Sequence, residues 1–329
     1  MSWLNLEDLL LEADASRQVT PEMNHAVLCQ RALRLAAHWQ AAGVQRVALH
    51  LQDAAELAIA LLAAWQADIH VLLPADAQPQ TRQRLGAQVD LWLEQLDDSM
   101  SAAPLTAKRL DRERCRLTLC TSGSSGEPKL IDKSLGQLAN EVQALEALWG
   151  ERLGNALIIG SVAAQHIYGL LFRVLWPLCA GRVFLSRAQP FPEDLQLASL
   201  PHPTFAWITS PALLKRMGDN LDWAALSRVR QVFSSGGALP ADAAASVQQR
   251  LGQWPTEIYG SSETGGIGWR QGGQHWQPFA NVQLEANDEG ALRLSSPYLP
   301  AGHWEQMADA VKIDADGRFT LGACLLYTS

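Results

Sequence analysis

Thr121-Ser122-Gly123-Ser124-Ser125-Gly126-Glu127-Pro128-Lys129 decides how the rest of the chain is read. Upstream, Leu117 to Cys120 has the apolar character of a short strand. Downstream, Ser134 with Gln137 has the spacing of a capping box, so the loop is expected between a strand and a helix. Two glycines allow close backbone approach to a ligand, and successive loop N–H groups can form a concavity for an anion. Four hydroxyls add donors, and Lys129 adds a point charge suited to phosphate. The loop is not a Walker A sequence and does not read G-x-G-x-x-G. Composition alone would make it a flexible turn; the residue order carries the information.

On both sides of this segment the chain alternates helix and strand patterns. Leu28, Ala32, Leu35, Ala36 and Trp39 form one helical face that Gly43 ends. Val47–Leu51 reads as a buried strand, Asp53 opens an apolar helix to about Ala67, and Ile69–Leu73 is a second strand. That order predicts a βαβ unit and a parallel sheet. Leu138, Val142, Leu145 and Trp149 mark another helical face. Ala156–Gly160, Val183–Leu185, Phe205–Ile208, Val229–Phe233 and Thr256–Tyr259 are further strand candidates. From Ile267 the texture changes to short β segments, with Glu289-Gly290 and Asp316-Gly317 as hairpin turns. The expected fold class is α/β: a body over residues 1–266 with parallel-rich sheets and packed helices, then a smaller β-rich subdomain over 267–323. Cys324-Leu325-Leu326-Tyr327-Thr328-Ser329 continues no pattern and is read as a foreign tail.

Composition narrows the function classes. Acids outnumber bases, 34 to 26, for a formal net charge of -8, which argues against nucleic acid as the main partner. The five cysteines show neither C-x-x-C nor zinc-finger spacing and are expected to be reduced and structural. The apolar run Leu57–Trp65 is too short to span a bilayer, and the N-terminus lacks the basic region of a secretory signal. A cytoplasmic protein without a transmembrane segment is expected.

The order T-S-G-S-S-G-x-P-K resembles the phosphate loop of the adenylate-forming superfamily, which includes acyl-CoA synthetases, aryl-acid ligases and peptide-synthetase adenylation domains. Ser234-Ser235-Gly236-Gly237-Ala238-Leu239-Pro240 and Tyr259-Gly260-Ser261-Ser262-Glu263-Thr264-Gly265-Gly266 resemble two further family segments, in the same order along the chain. The second follows the family's Y-G-x-T-E pattern, with Ser262 keeping a hydroxyl where Thr is usual. Asp309, before the Asp316-Gly317 turn, resembles the Asp of the family's T-G-D, although here only the Asp is retained. The resemblance covers roughly Leu117–Leu321; the preceding residues share only an α/β texture.

The resemblance implies ATP and Mg2+ as cofactors and a carboxylic acid as substrate. The complete protein would then use a thiol acceptor, CoA or the phosphopantetheine of an acyl carrier protein. It implies that Thr121, Ser122, Gly123, Ser124, Ser125, Gly126 and Lys129 hold phosphates. Gly236, Gly237, Ala238, Tyr259, Gly260, Ser261, Ser262 and Asp309 would complete the nucleotide site. Tyr259 would pack on adenine, Ser262 would meet the α-phosphate, and Asp309 would hold the ribose hydroxyls. Thr121 and Glu263 are the implied magnesium contacts, and Lys129, His166 and Glu263 the implied catalytic residues. His166, in Gln165-His166-Ile167-Tyr168-Gly169, would border the acid pocket with Ser235 and Gly236. Trp207 is read either as a wall of that pocket or as core. The family's mobile C-terminal domain is expected to be absent, and Gly322-Ala323 stand where a Gly-Arg pair is usual.

The implied reaction joins a carboxylate to AMP and releases pyrophosphate. Three rival readings are a regulatory or catalytically weak ATP-binding homologue, a P-loop kinase and a Rossmann dehydrogenase. Intact Lys129 and Glu263 argue against the first. The missing Walker A argues against the second, and the glycine-free Gln52-Asp53-Ala54-Ala55 after the first predicted strand against the third.

Overall fold

The structure is a computed structural model that describes residues 2–97, 102–122 and 128–324. Gly123, Ser124, Ser125 and Gly126 of the Gly/Ser loop, and residues 325–329 of the expected tail, lie outside the described residues.

A short hairpin of β1 (Gln18–Thr20) and β2 (Met23–Asn24) leads into α1 (His25–Ala41), whose buried face carries Leu28, Ala32, Leu35, Ala36 and Trp39. The first large sheet contains β3 (Arg46–Leu49), β4 (His70–Leu73), β5 (Leu91–Leu93), β6 (Arg116–Ser122) and β7 (Pro128–Ser134), in the order β5-β3-β4-β6-β7. β3, α2 (Ala54–Gln66) and β4 form the expected parallel βαβ unit, and Asp53 caps α2 through Ala55 N and Glu56 N. α2 is buried along nearly its whole length, which explains its continuous apolar run. α3 (Pro79–Gly86) connects β4 to β5. β7 runs antiparallel to β6, so the Gly/Ser loop joins two strands of a hairpin. This corrects the expectation of a strand-to-helix connection: Pro128–Lys133 continues the sheet before Ser134 caps α4 (Leu135–Leu153) with the anticipated capping box.

The second sheet contains β8 (Leu157–Gly160), β9 (Phe205–Thr209), β10 (Val229–Ser234), β11 (Thr256–Ser261), β12 (Gly265–Arg270) and β13 (Gln277–Pro278), in chain order across the sheet. β8 to β11 are parallel and β12 and β13 antiparallel. The expected strand at Val183–Leu185 is reduced to one bridge between Phe184 and Ile158. Between β8 and β9 lie α5 (Ile167–Gly169), a π-helical turn at Leu170–Leu175, α6 (Trp176–Ala180) and α7 (Pro192–Ser199). α7 shares one core, on the face of Phe205 and Trp207, with α8 (Pro211–Leu214), α9 (Trp223–Leu226) and α10 (Ala241–Leu251).

A four-stranded antiparallel sheet follows: β14 (Gln283–Ala286), β15 (Ala291–Ser295), β16 (Glu305–Ile313) and β17 (Phe319–Cys324). Gly290 and Gly317 sit in its turns at φ 80° and 82°, in the left-handed region that glycine enters without strain. The change of architecture therefore comes at β14. The expected boundary at 266–267 falls inside β12, because an antiparallel strand added to a parallel sheet has the same short-strand texture as a separate subdomain. Cys324, expected to begin a foreign tail, ends β17 opposite Asp309.

Candidate active site

The β6–β7 hairpin brings the first candidates together. Thr121 and Lys129 are direct cross-strand partners, and Ser122 pairs with Pro128 at the entrance to the loop. Lys129 Nζ donates to Glu263 Oε1 at 2.6 Å, so residues far apart in sequence meet at the mouth of the loop. The Lys129 side chain is 57% exposed, and an ion pair that open contributes little to stability. The pair places a cation and a carboxylate together where the β6–β7 hairpin meets the β11–β12 turn. Partial burial pushes the Glu263 carboxyl up. Hydrogen bonds from Lys129, from its own backbone and from Ser261, with the Lys129 charge, outweigh this and hold it below its ordinary value.

Glu263 stands in the tight connection between β11 and β12. Ser261 and Thr264 lock that turn: Ser261 N donates to Thr264 Oγ1 at 3.1 Å, and Thr264 N to Ser261 Oγ at 3.2 Å. Thr264 is fully buried and its hydroxyl also donates to the Gly265 carbonyl at 2.8 Å. Gly260 is required here, because a Cβ would lie 2.2 Å from the Gly265 carbonyl oxygen. Gly265 has φ 69°, and its missing side chain leaves room for the Glu141 carboxylate.

Beside this turn opens a cleft of about 230 Å³. One wall is polar: Ser261, Ser262, Gly260 and Gly265–Gly266. The other is apolar, with Leu171 and Phe172 from the π-helical turn, Ile167 and Tyr168 from α5, and Ile258 from β11. His166, Ser235 and Gly236 also line it. Ser235 Oγ donates to the Ile258 carbonyl at 3.0 Å, which ties the segment after β10 to β11. Gly236 has φ 85° with open space where a side chain would point, so a flat ligand can lie on its backbone. Gly237 and Ala238 continue the same segment toward α10 without lining the cleft. His166 caps α5 at the mouth. The residue is exposed overall, yet desolvation by the surrounding protein, followed by the charge of nearby His50, lowers its basicity. It is therefore a neutral donor or acceptor near pH 7.

On the small-sheet side, Tyr259 Oη donates to Asp309 Oδ2 at 2.7 Å. Its ring also lies against Trp276 and Phe319. The residue expected at adenine and the residue expected at ribose are thus joined, although only the Asp of the three-residue motif is retained.

Trp207 does not join them. Side chains alternate along β9, so Ala206 and Ile208 face the main core while Phe205 and Trp207 face the second core. Trp207 is fully buried there, stacked on Phe205, and its indole N–H donates to Ser199 Oγ at 2.9 Å. Of the two readings of this residue, the structure supports core packing.

Glu141 lines the cleft and was not anticipated. It occupies the buried face of α4 and accepts from Gly266 N at 2.6 Å. Burial pushes its carboxyl up to about 7 against the opposing effects of the Lys133 charge and the Gly266 hydrogen bond. The signal was present in the sequence as an acid on the apolar face of Leu138, Val142 and Leu145. No cluster of three or more His, Cys, Asp or Glu suited to a metal occurs among the described residues. Magnesium brought with a nucleotide needs no such cage, because it keeps waters and binds through one or two protein groups plus phosphate. Glu263 with Thr121 fits that donor set.

The AMP-binding enzyme family matches residues 70–285, a span that contains the hairpin, the cleft and the Glu263 turn. The chain belongs to this family. It is 30% identical over 222 residues to a 4-coumarate–CoA ligase of Cereibacter sphaeroides, covering 63% of this chain and 48% of that protein. A 4-coumarate–CoA ligase of Halorhodospira halophila is 29% identical over 194 residues, covering 56% and 44%. The chain thus spans about half the length of the curated relatives it matches. Among solved structures, ATP-bound MatB from Rhodopseudomonas palustris superposes with a TM-score of 0.81 at 18% identity, over 96% of this chain and 78% of that one. A benzoate CoA ligase from Burkholderia xenovorans gives 0.77 at 17% identity, over 98% and 80%. These structural likenesses establish the fold, that of the N-terminal domain of adenylate-forming ligases. No helix among the described residues is long and apolar enough to cross a membrane.

Proposed function

We propose that this cleft activates a carboxylic acid, aryl or acyl, as its acyl-adenylate. In the complete enzyme the acyl group would pass to a thiol, that of CoA or of a carrier protein's phosphopantetheine. The observation that carries the reading is the meeting of Lys129 and Glu263, 2.6 Å apart, at the hairpin loop beside a half-apolar cleft. The names of the relatives, CoA ligases for 4-coumarate and benzoate, support it.

The chemistry asks little of general bases. A free carboxylic acid is already ionised at neutral pH, since its pKa lies near about 4. One carboxylate oxygen attacks the α-phosphorus of ATP, an O–P bond forms, and the bond to the pyrophosphate oxygen breaks. The obstacle is the meeting of two anions and the charge on the leaving pyrophosphate, so catalysis rests on positioning and electrostatics. Lys129 and the loop N–H groups would neutralise the β- and γ-phosphates. Magnesium, held by Glu263 and Thr121, would supply further positive charge. Ser262 would hydrogen-bond the α-phosphate, and Tyr259 with Asp309 would hold adenine and ribose. Neutral His166 would orient the acid rather than take its proton, while Tyr168, Leu171 and Phe172 pack on the acid's apolar part.

The test is acid-dependent exchange of labelled pyrophosphate into ATP across a panel of aryl and aliphatic acids. Exchange with at least one apolar acid, abolished by Glu263→Ala with folding intact, is the expected result. ADP as product, or exchange indifferent to Glu263, would contradict the assignment.

A further inference from the structure

Among the buried charged side chains, Lys133 and Glu141 meet at the Glu263 turn. Lys133 on β7 is 2% exposed and Glu141 on α4 is 6% exposed. Burying such groups is costly unless hydrogen bonds and opposite charge compensate. Both send their polar atoms to the same place. Lys133 Nζ donates to the Glu263 carbonyl at 2.6 Å and to the Tyr298 carbonyl at 3.1 Å. The Glu141 carboxylate accepts from Gly266 N at 2.6 Å.

We infer that Lys133 and Glu141 are positioning residues that clamp the Glu263 turn at both ends, one through its carbonyl and the other through the Gly266 N–H. The inference deepens the proposed nucleotide site, since the task of Glu263 rests on that reading.

Three observations carry the clamp. First, Lys129 and Lys133 lie on one face of β7, two side-chain repeats apart, and both end on Glu263. The exposed lysine takes the carboxylate and the buried one takes the carbonyl of the same residue. The hairpin that offers the phosphate loop thereby also fixes the acid facing it. Second, the turn's own ties are local, joining Ser261, Glu263, Thr264 and Gly265 to one another, whereas the Glu263 carbonyl and the Gly266 N–H are met from outside by Lys133 and Glu141. Third, Lys133 joins the turn to the Tyr298 carbonyl in the connection between β15 and β16, so the small sheet and the turn share one anchor. Glu141, Glu263 and Glu305 supply the compensating negative charge around Lys133.

Hydrogen–deuterium exchange on the whole chain tests this, comparing wild type with Lys133→Met, Glu141→Leu and Glu141→Gln. Removing either tie should speed amide exchange in residues 259–268 by about tenfold, the scale set by losing one hydrogen bond to a charged group. The rest of the chain should keep its protection. Glu141→Gln should retain slow exchange, because its amide oxygen still accepts from Gly266. Unchanged exchange at 259–268 in both Lys133→Met and Glu141→Leu would overturn the clamp. So would equal opening by Glu141→Gln and Glu141→Leu, or acceleration spread evenly through α1 and α2, which would make the pair ordinary core support. A failure of Lys133→Met to fold leaves the two Glu141 variants to decide.

Parallel titrations with Mg·ATP and with AMP, read by tryptophan fluorescence, separate the clamp from the nucleotide reading. The opened variants should lose about tenfold more affinity for Mg·ATP than for AMP, because Tyr259 and Ser262 in the same segment serve both nucleotides while Glu263 serves only the metal-bound triphosphate. Equal losses for both nucleotides would contradict the link to Glu263. Localised opening in the variants, with no Mg·ATP binding by wild type, would leave the clamp standing and refute the nucleotide reading.

Discussion

Gly260→Ala is the most exacting perturbation of the site. A Cβ at this position lies 2.2 Å from the Gly265 carbonyl oxygen and 3.0 Å from both the Gly265 carbonyl carbon and the Gly266 Cα. All three obstacles are backbone atoms, so no flexible side chain can yield. Carbon and oxygen need about 1 Å more than this, and the two strands flanking the Glu263 turn must part by roughly that distance. Overpacking of this kind costs about 1–3 kcal/mol, so the melting temperature should fall by a few degrees. The functional effect should be larger. A misplacement of about 1 Å of Ser261–Glu263 predicts roughly a hundredfold loss of pyrophosphate exchange. Gly86→Ala is the control, since a Cβ there meets nothing within 4 Å. Thermal denaturation and exchange assays on both variants decide the matter. Wild-type exchange in Gly260→Ala would show that the turn geometry does not position the reacting groups.

Trp207→Leu should lower the melting temperature, by about 2–3 kcal/mol in stability, through lost packing on Phe205 and the lost Ser199 hydrogen bond. It should leave the ranking of acids unchanged, and a shifted acid profile would return Trp207 to the pocket. Glu141 gives a pH signature. Its folded pKa of about 7 lies above the ordinary 4.5, so its contribution is fully present below about 4.5 and is lost as pH rises through 7. Denaturant titrations should show about 3 kcal/mol of stability lost across that window, flattened by Glu141→Gln. Glu263 has the opposite sign: its depressed pKa favours the folded state above 4.5 and loses effect as pH falls below it. Cys29, Cys115, Cys120 and Cys179 are free and buried, and burial raises each thiol pKa. Thiol reagents should label these four only at the rate of unfolding, and rapid labelling of any of them in the native protein would show a looser core.

Local patterns made much of the fold legible. The α1 face, the Asp53 cap, the βαβ unit and the Ser134–Gln137 box each depend on residues a few positions apart, and each is found in the structure. β7 was missed because Lys129, Asp132 and Lys133 interrupt its apolar pattern; Lys133 is buried by a long-range contact that no local window contains. The expected boundary at 266–267 cuts β12 for a similar reason: strand texture does not say which sheet accepts a strand. The order of motifs singled out Lys129, Glu263, Tyr259 and Asp309 as candidates. Their convergence, through Lys129–Glu263 and Tyr259–Asp309, is tertiary information. Trp207 failed as a pocket residue because facing direction along β9 depends on which layer covers each side of the sheet. Glu141 could have been found as a charge on an apolar helical face, whereas its Gly266 partner could not.

Whether the cleft makes an acyl-adenylate is tested most directly with an acid labelled with oxygen-18 in its carboxyl group. The chain is incubated with ATP, magnesium and the labelled acid, hydroxylamine serves as the acyl acceptor, and the nucleotide product is weighed by mass spectrometry. Attack of the carboxylate on the α-phosphorus predicts AMP carrying one labelled oxygen, because hydroxylamine breaks the bond on the carbonyl side. Unlabelled AMP, or ADP as the acid-dependent product, would contradict the account.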